Sequence, residues 1–242
     1  EMSASLVGSE MCIRDSNRTE NYQSDCSYIS QIKAFKDNVS IKSCLSYTFS
    51  VSNSQGTSLI KDRPFTAEMT RSIMLLKEKP YRPRMADYRI GVFFTGREQL
   101  GEGAKTTVPV YYANRWDIQP SDTAAYLRGE KVKPTKQIVF YIDNTFPEKW
   151  KPYLREGVTQ WNELFEQIGF KDVVAAKDFP TDDPEFDPDN IKYSCVRYAP
   201  SSIENAMGPS WVDPRSGEIL NASVYLYHLS LIHISEPTRL AL

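Results

Sequence analysis

The sequence predicts an α+β chain: a β-rich N-terminal part, then a mixed β-sheet packed by one long helix. Three observations carry that expectation. Leu45, Tyr47, Phe49 and Val51 alternate with Ser46, Thr48, Ser50 and Ser52, the period-two signature of a half-buried strand. Ile138–Ile142 is a nearly continuous apolar run, as in a buried strand. Trp150, Leu154, Val158, Trp161, Phe165 and Ile168 step by three or four and so share one helical face.

The other elements follow in order. Residues 29–35 and 39–41 read as neighbours of the first strand, joined across Lys36, Asp37 and Asn38, and a further strand is expected over 65–76. Pro80 and Pro83 make an extended crossing segment. Residues 90–94 read as a short strand before a loop containing Gly96, Gly101 and Gly103. Asp143, Asn144 and Thr145 supply an N-cap for the helix, Pro147 sits near its first position, and Gly169 suits its C-terminal end. Pro152 falls within the first turns, where it kinks or frays the start. Strands over 172–176 and 191–198 flank an acidic loop. Residues 206–212 and 219–227 then form a hairpin around the turn 213–217.

Composition bounds the function classes. The 242 residues carry 29 Lys+Arg against 31 Asp+Glu, a formal net charge of −2 that argues against a nucleic-acid partner. Hydrophobic residues at 40% exclude a disordered chain, and no apolar run reaches the roughly 20 residues needed to span a bilayer. The two ends read as foreign to the rest. Residues 229–239, LSLIHISEPTR, are what one strand of a transposase sequencing adapter encodes, and residues 6–16, LVGSEMCIRDS, are what its opposite strand encodes. Segments 1–16 and 229–242 are therefore expected to be adapter-derived and not biological. They remove four acids (Glu1, Glu10, Asp15, Glu236) and two bases (Arg14, Arg239), leaving 27 of each in 17–228. Cys26, Cys44 and Cys195 match no metal spacing; a Cys26–Cys44 bridge and unpaired thiols are both open.

A family resemblance enters at the phrases 147–162 (PEKWKPYLREGVTQWN), 187–200 (DPDNIKYSCVRYAP) and 206–223 (AMGPSWVDPRSGEILNAS), with 79–91 (KPYRPRMADYRIG) and 114–116 (NRW) upstream. Together they resemble secreted bacterial zinc-dependent metalloproteases of the metzincin type, which carry β-rich domains of unknown function ahead of the catalytic part. The resemblance implies a partial β-rich N-terminal domain at 17–130 and the N-terminal half of a metzincin-like catalytic domain at 131–228. It also implies a metallopeptidase parent, a hydrolase that uses zinc-activated water on a peptide or protein substrate. Its location would be extracellular, periplasmic or at the bacterial cell surface.

The family's zinc motif, H-E-x-x-H-x-x-G-x-x-H, is absent, and its three imidazoles and general-base Glu have no counterparts here. In the family that motif's helix follows the strand ending near Tyr227, so this fragment is expected to stop short of it, to bind no catalytic zinc and to hydrolyse nothing. No catalytic, cofactor or metal residue is assigned; Zn belongs to the full-length protein. What remains is the substrate side. In such folds an edge strand pairs with extended peptide, and by chain order 206–212 is the candidate. Gly208 and Ser210 leave backbone accessible and Trp211 walls a side-chain pocket; alternatively Met207 and Trp211 are core and Gly208-Pro209 a bend.

Other groups point less clearly to chemistry. Asp182, Asp183, Glu185, Asp187 and Asp189 have oxygens for calcium but no EF-hand spacing, so a solvated loop is favoured. Glu156, Glu163 and Glu166 read as a charged solvent face, and His228 as a structural residue. A different class stays open: a non-enzymatic β-rich surface binding module.

Overall fold

A computed structural model describes residues 17–101, 106–201 and 205–228; the adapter-like stretches lie outside them. The α+β expectation fails. The chain is mostly β, with 49% strand in several sheets against 12% helix, and among the described residues no long helix packs on a sheet.

Two compact units divide between Leu75 and Leu76. The first is an antiparallel meander of β1 (Asn17–Ala34), β2 (Asn38–Ser52) and β3 (Ser58–Met74). The alternation around Leu45 lies in β2, and residues 39–41 belong to the same strand rather than to a neighbour. Register sets Tyr22 opposite Tyr47 and Tyr47 opposite Phe65, so aromatic rings meet across all three strands at 5.4 and 5.3 Å. The reverse face is polar: Ser40, Lys42, Ser46 and Thr48 lie opposite Ser72, Thr70, Thr66 and Pro64. Cys44 lies opposite Tyr28 rather than Cys26, and both cysteines are free thiols.

The second unit holds the ribbon β4 (Phe94–Leu100) with β5 (Thr107–Ala113), and a larger mixed sheet. Ile90 and Gly91 form a turn before β4 instead of the expected strand. The mixed sheet contains β6 (Ile138–Ile142), β7 (Val174–Asp178), β8 (Ser194–Ala199), β9 (Ala206–Met207), β10 (Ser210–Val212) and β11 (Ile219–Tyr227). Its order is β10-β11-β8-β6-β7; β9 also pairs β11. Strands β7, β6, β8 and β11 run parallel, whereas β9 and β10 run antiparallel to β11.

The stripe that predicted a long helix is divided among a 3₁₀ turn (Glu148–Trp150), α2 (Lys151–Thr159) and α3 (Asn162–Gln167); α1 is the short Thr123–Leu127. The division has local causes. The Thr159 hydroxyl donates back to the Arg155 carbonyl at 2.9 Å, an alternative bond that bends a helix. Past Gln160, the Glu163 and Leu164 amides bond three residues back, at 3.1 and 3.2 Å. The Asn162 side chain pairs both backbone groups of Val174 at 2.8 Å, tying the start of α3 to β7. Trp150, Leu154, Val158 and Phe165 still reach the core, but Trp161 and Ile168 are about three-fifths exposed at 60% and 58%. Gly169 follows with φ +87°, and a Cβ there would sit 2.9 Å from the Tyr126 ring.

The core is built on β6 and its neighbours. Ile142, Val173 and Cys195 are fully buried, joined by Ile138, Val174, Phe146 and Val196. No helix among the described residues is long and apolar enough to cross a membrane.

Candidate functional site

Residues 206–212 form the edge of the mixed sheet, in two pieces. Met207 and Ala206 pair with Tyr225 and Leu226; Ser210, Trp211 and Val212 pair with Ala222, Asn221 and Ile219. Pro209 has no amide hydrogen, so the ladder is interrupted at Gly208-Pro209, although the Pro209 carbonyl accepts from the Ser223 amide at 2.9 Å. The Asp213 amide donates to the Glu218 carbonyl at 2.9 Å. By strand alternation the backbone groups of Ser210 and Val212 then face away from β11. Gly208 and Ser210 are exposed, Trp211 is half-buried, and a Cβ on Gly208 would meet nothing within 4 Å. Gly208, between β9 and β10, and Ser210 and Trp211 in β10 thus lie along one edge of the sheet, with which no further strand pairs among the described residues.

Next to this edge lies a tight turn with buried charge. Asp213, Ser216 and Glu218 are almost completely buried. The Arg215 guanidinium forks onto Asp213 at 3.0 and 2.8 Å and holds that carboxyl below the usual carboxylate range. The Arg215 amide donates to the same Asp213 carboxylate at 2.8 Å. From sequence alone this segment reads only as a turn, on the composition of residues 213–217.

The remaining candidates have other employment. In the acidic loop, Asp183, Asp187 and Asn190 accept from backbone amides two residues on, at 2.9, 2.8 and 3.0 Å. Phe186 pins that loop by meeting Phe179, Tyr193 and Tyr141 at 4.8, 4.8 and 5.2 Å. Glu166 pairs with Lys131 at 2.6 Å. His228 Nδ1 shares a hydrogen bond with Tyr198 Oη beside Trp150. Burial pushes the Cys195 thiol up to about 12, which removes it as a nucleophile at neutral pH. Among the described residues no three His, Cys, Asp or Glu are placed to hold a metal ion. The ligand set of a catalytic zinc does not fit these residues, and no metal-dependent step is assigned to them.

A cavity of about 550 Å³ opens on one face of the mixed sheet, lined by Trp116, Phe140, Val158, Trp161, Val196 and Leu226 among others. Its lining is almost wholly apolar. It offers packing surface rather than acid-base groups.

A sequence profile for a domain of unknown function (DUF5117) matches residues 4–121, just under half of the chain. The match takes in β1 to β5 and none of the mixed sheet. No curated protein matches, and no solved structure does.

Proposed function

We propose that this chain is part of a secreted bacterial zinc-dependent metalloendopeptidase of the metzincin type, and that residues 206–212 are the rim along which extended peptide lies. The single observation that carries the reading is the open, interrupted edge strand antiparallel to β11. By alternation the Ser210 and Val212 backbone groups face outward, and among the described residues no strand pairs with that side; Gly208 leaves room beside it, and Trp211 flanks the first side-chain position. The sequence phrases around 147–162 and 206–223 support the same family.

In this reading the residues present bind and orient substrate. The full-length protein supplies the zinc, which would polarise the scissile carbonyl and activate water. The site lies outside the cell or in the periplasm, and the partner is a peptide or protein. The test has two arms. Coding DNA beyond codon 228 is expected to run within a few dozen codons into H-E-x-x-H, and the product of that whole gene is expected to cleave casein in a chelator-sensitive way. A gene that terminates or continues without the motif, or a product that leaves casein intact, contradicts the proposal.

A second reading is favoured by one observation of its own. The first unit is a three-stranded sheet crossed by the Tyr22, Tyr47 and Phe65 rings, with Tyr22, Ile29, Ile32 and Ile73 more than half exposed. Such a face suits a surface binding module. Surface-glycan or protein binding by the full chain that survives a Trp211→Ala and Ser210→Pro double change would support that reading over the rim.

A further inference from the structure

The geometry points to Lys77 and Arg115 as positioning residues that brace the peptide rim, so that the end of the profile-matched region sets the shape of a strand lying outside it. The inference rests on the rim reading above and adds a second requirement to it.

The turn between β10 and β11 is held from outside the hairpin by four hydrogen bonds to Lys77 and Arg115. Lys77 Nζ donates to Glu218 Oε1 at 2.6 Å, and the Arg215 guanidinium donates to the Lys77 carbonyl at 2.6 Å. The Arg115 amide donates to the Gly217 carbonyl, and the Arg115 carbonyl accepts from the Ile219 amide, both at 2.9 Å. By alternation these Arg115 bonds lie on the flank of β11 opposite Glu218's bond to Asp213, so the brace leaves the outer edge of β10 open. Gly217 makes the fit: at φ +76° its missing Cβ would lie 2.5 Å from the Ala113 carbonyl oxygen.

The chemistry makes Lys77 decisive. Glu218 is 4% exposed, and among the described residues its Oε2 has no hydrogen-bond partner. Lys77 therefore supplies the cation for a carboxylate already short of one bond, and a buried carboxylate without its cation is strongly unfavourable. Without Lys77, Glu218 must turn toward water. Its backbone holds Asp213, the residue after β10, so the rim would lose its anchor. Lys77 itself is more than half exposed, at 57%, so its replacement does not empty the core.

Both Lys77 and Arg115 fall within residues 4–121, whereas β9, β10 and β11 do not. The end of a region of unknown function thereby acquires a defined role, which is to fix the register and reach of the strand beside the substrate.

The test uses the full chain as wild type, Lys77→Met, Lys77→Arg, Gly217→Ala and Lys133→Met, the last disrupting an exposed ion pair with Asp172 elsewhere. Two readouts are taken: amide hydrogen exchange over 210–222, and affinity for a fluorescein-labelled peptide of alternating Thr and Val. Lys77→Met and Gly217→Ala are expected to speed exchange over 210–219 and weaken the peptide by about tenfold. Lys77→Arg is expected to restore both, with exchange in β6 unchanged and Lys133→Met behaving as wild type. Wild-type binding with an unaltered Lys77→Met overturns the brace. Absence of wild-type peptide binding overturns the rim reading instead; the brace then stands or falls on whether Lys77→Met speeds exchange over 210–219.

Discussion

The two larger sheets of this molecule differ in strand length and in what those strands bury. The first unit has strands of 18, 15 and 17 residues, yet its only buried described residues are the polar Asn38, Ser40 and Ser43. The mixed sheet has strands of two to nine residues, and the buried hydrophobic side chains of the described chain all lie at Ala113 or beyond. Long ladders satisfy backbone hydrogen bonds, but those bonds largely replace bonds to water. Burial of apolar surface is the larger driving force. The mixed sheet is accordingly the rigid platform, and an edge strand attached to it can be placed accurately.

The most forceful way to break this comparison is to empty the same kind of side chain in each sheet. Ile142→Ala, at a fully buried position, is expected to cost about 2–5 kcal/mol in denaturant unfolding of the second unit. Ile73→Ala, 63% exposed, is expected to stay within about 0.5 kcal/mol. Equal costs would erase the distinction. Next in size, Asn162→Ala strips the Val174 amide and carbonyl of their partners and is expected to cost about 1–3 kcal/mol by the same measurement.

Acid sharpens the comparison further. The Arg215 guanidinium lowers the Asp213 carboxyl, so Asp213 binds protons more weakly folded than unfolded. Its stabilisation is full above the ordinary carboxylate range near 4 and is lost as pH falls through the lowered folded value. A pH series of thermal melts should show a shallower acid limb for Asp213→Asn than for wild type. The smallest effect is chemical. Cys26 is exposed and is expected to react readily with a thiol reagent, whereas Cys195 reacts only after unfolding.

How much of this was legible in the sequence depends on the range of the interaction. The alternation around Leu45 and the apolar run at 138–142 are local patterns, and both mark strands β2 and β6. The hairpin at 206–227 is local too, and its edge position follows from chain order. The helix stripe misled because periodicity records where side chains point, not whether the hydrogen-bond ladder continues. It is interrupted by the Thr159 back-bond to Arg155 and by a tie from Asn162 to Val174, twelve residues away. Helix α1, whose Asp122 carboxylate accepts from the Ala125 amide at 2.9 Å, is too short to leave a periodic trace, and Gly96, expected in a loop, instead lies within strand β4. The contact between Lys77 and Glu218 spans 141 positions, and no pattern in either segment announces it.

The central claim is that residues 206–212 form an open edge on a rigid sheet, ready to accept a strand. Amide hydrogen exchange of the full chain, with and without an excess of extended Thr-Val peptide, tests it most directly. The account predicts slow exchange in β6 and β8 throughout, and fast exchange at Ser210 and Val212 that slows when peptide is added. Ser210 and Val212 amides already protected in the free chain, or unchanged by peptide, would contradict it.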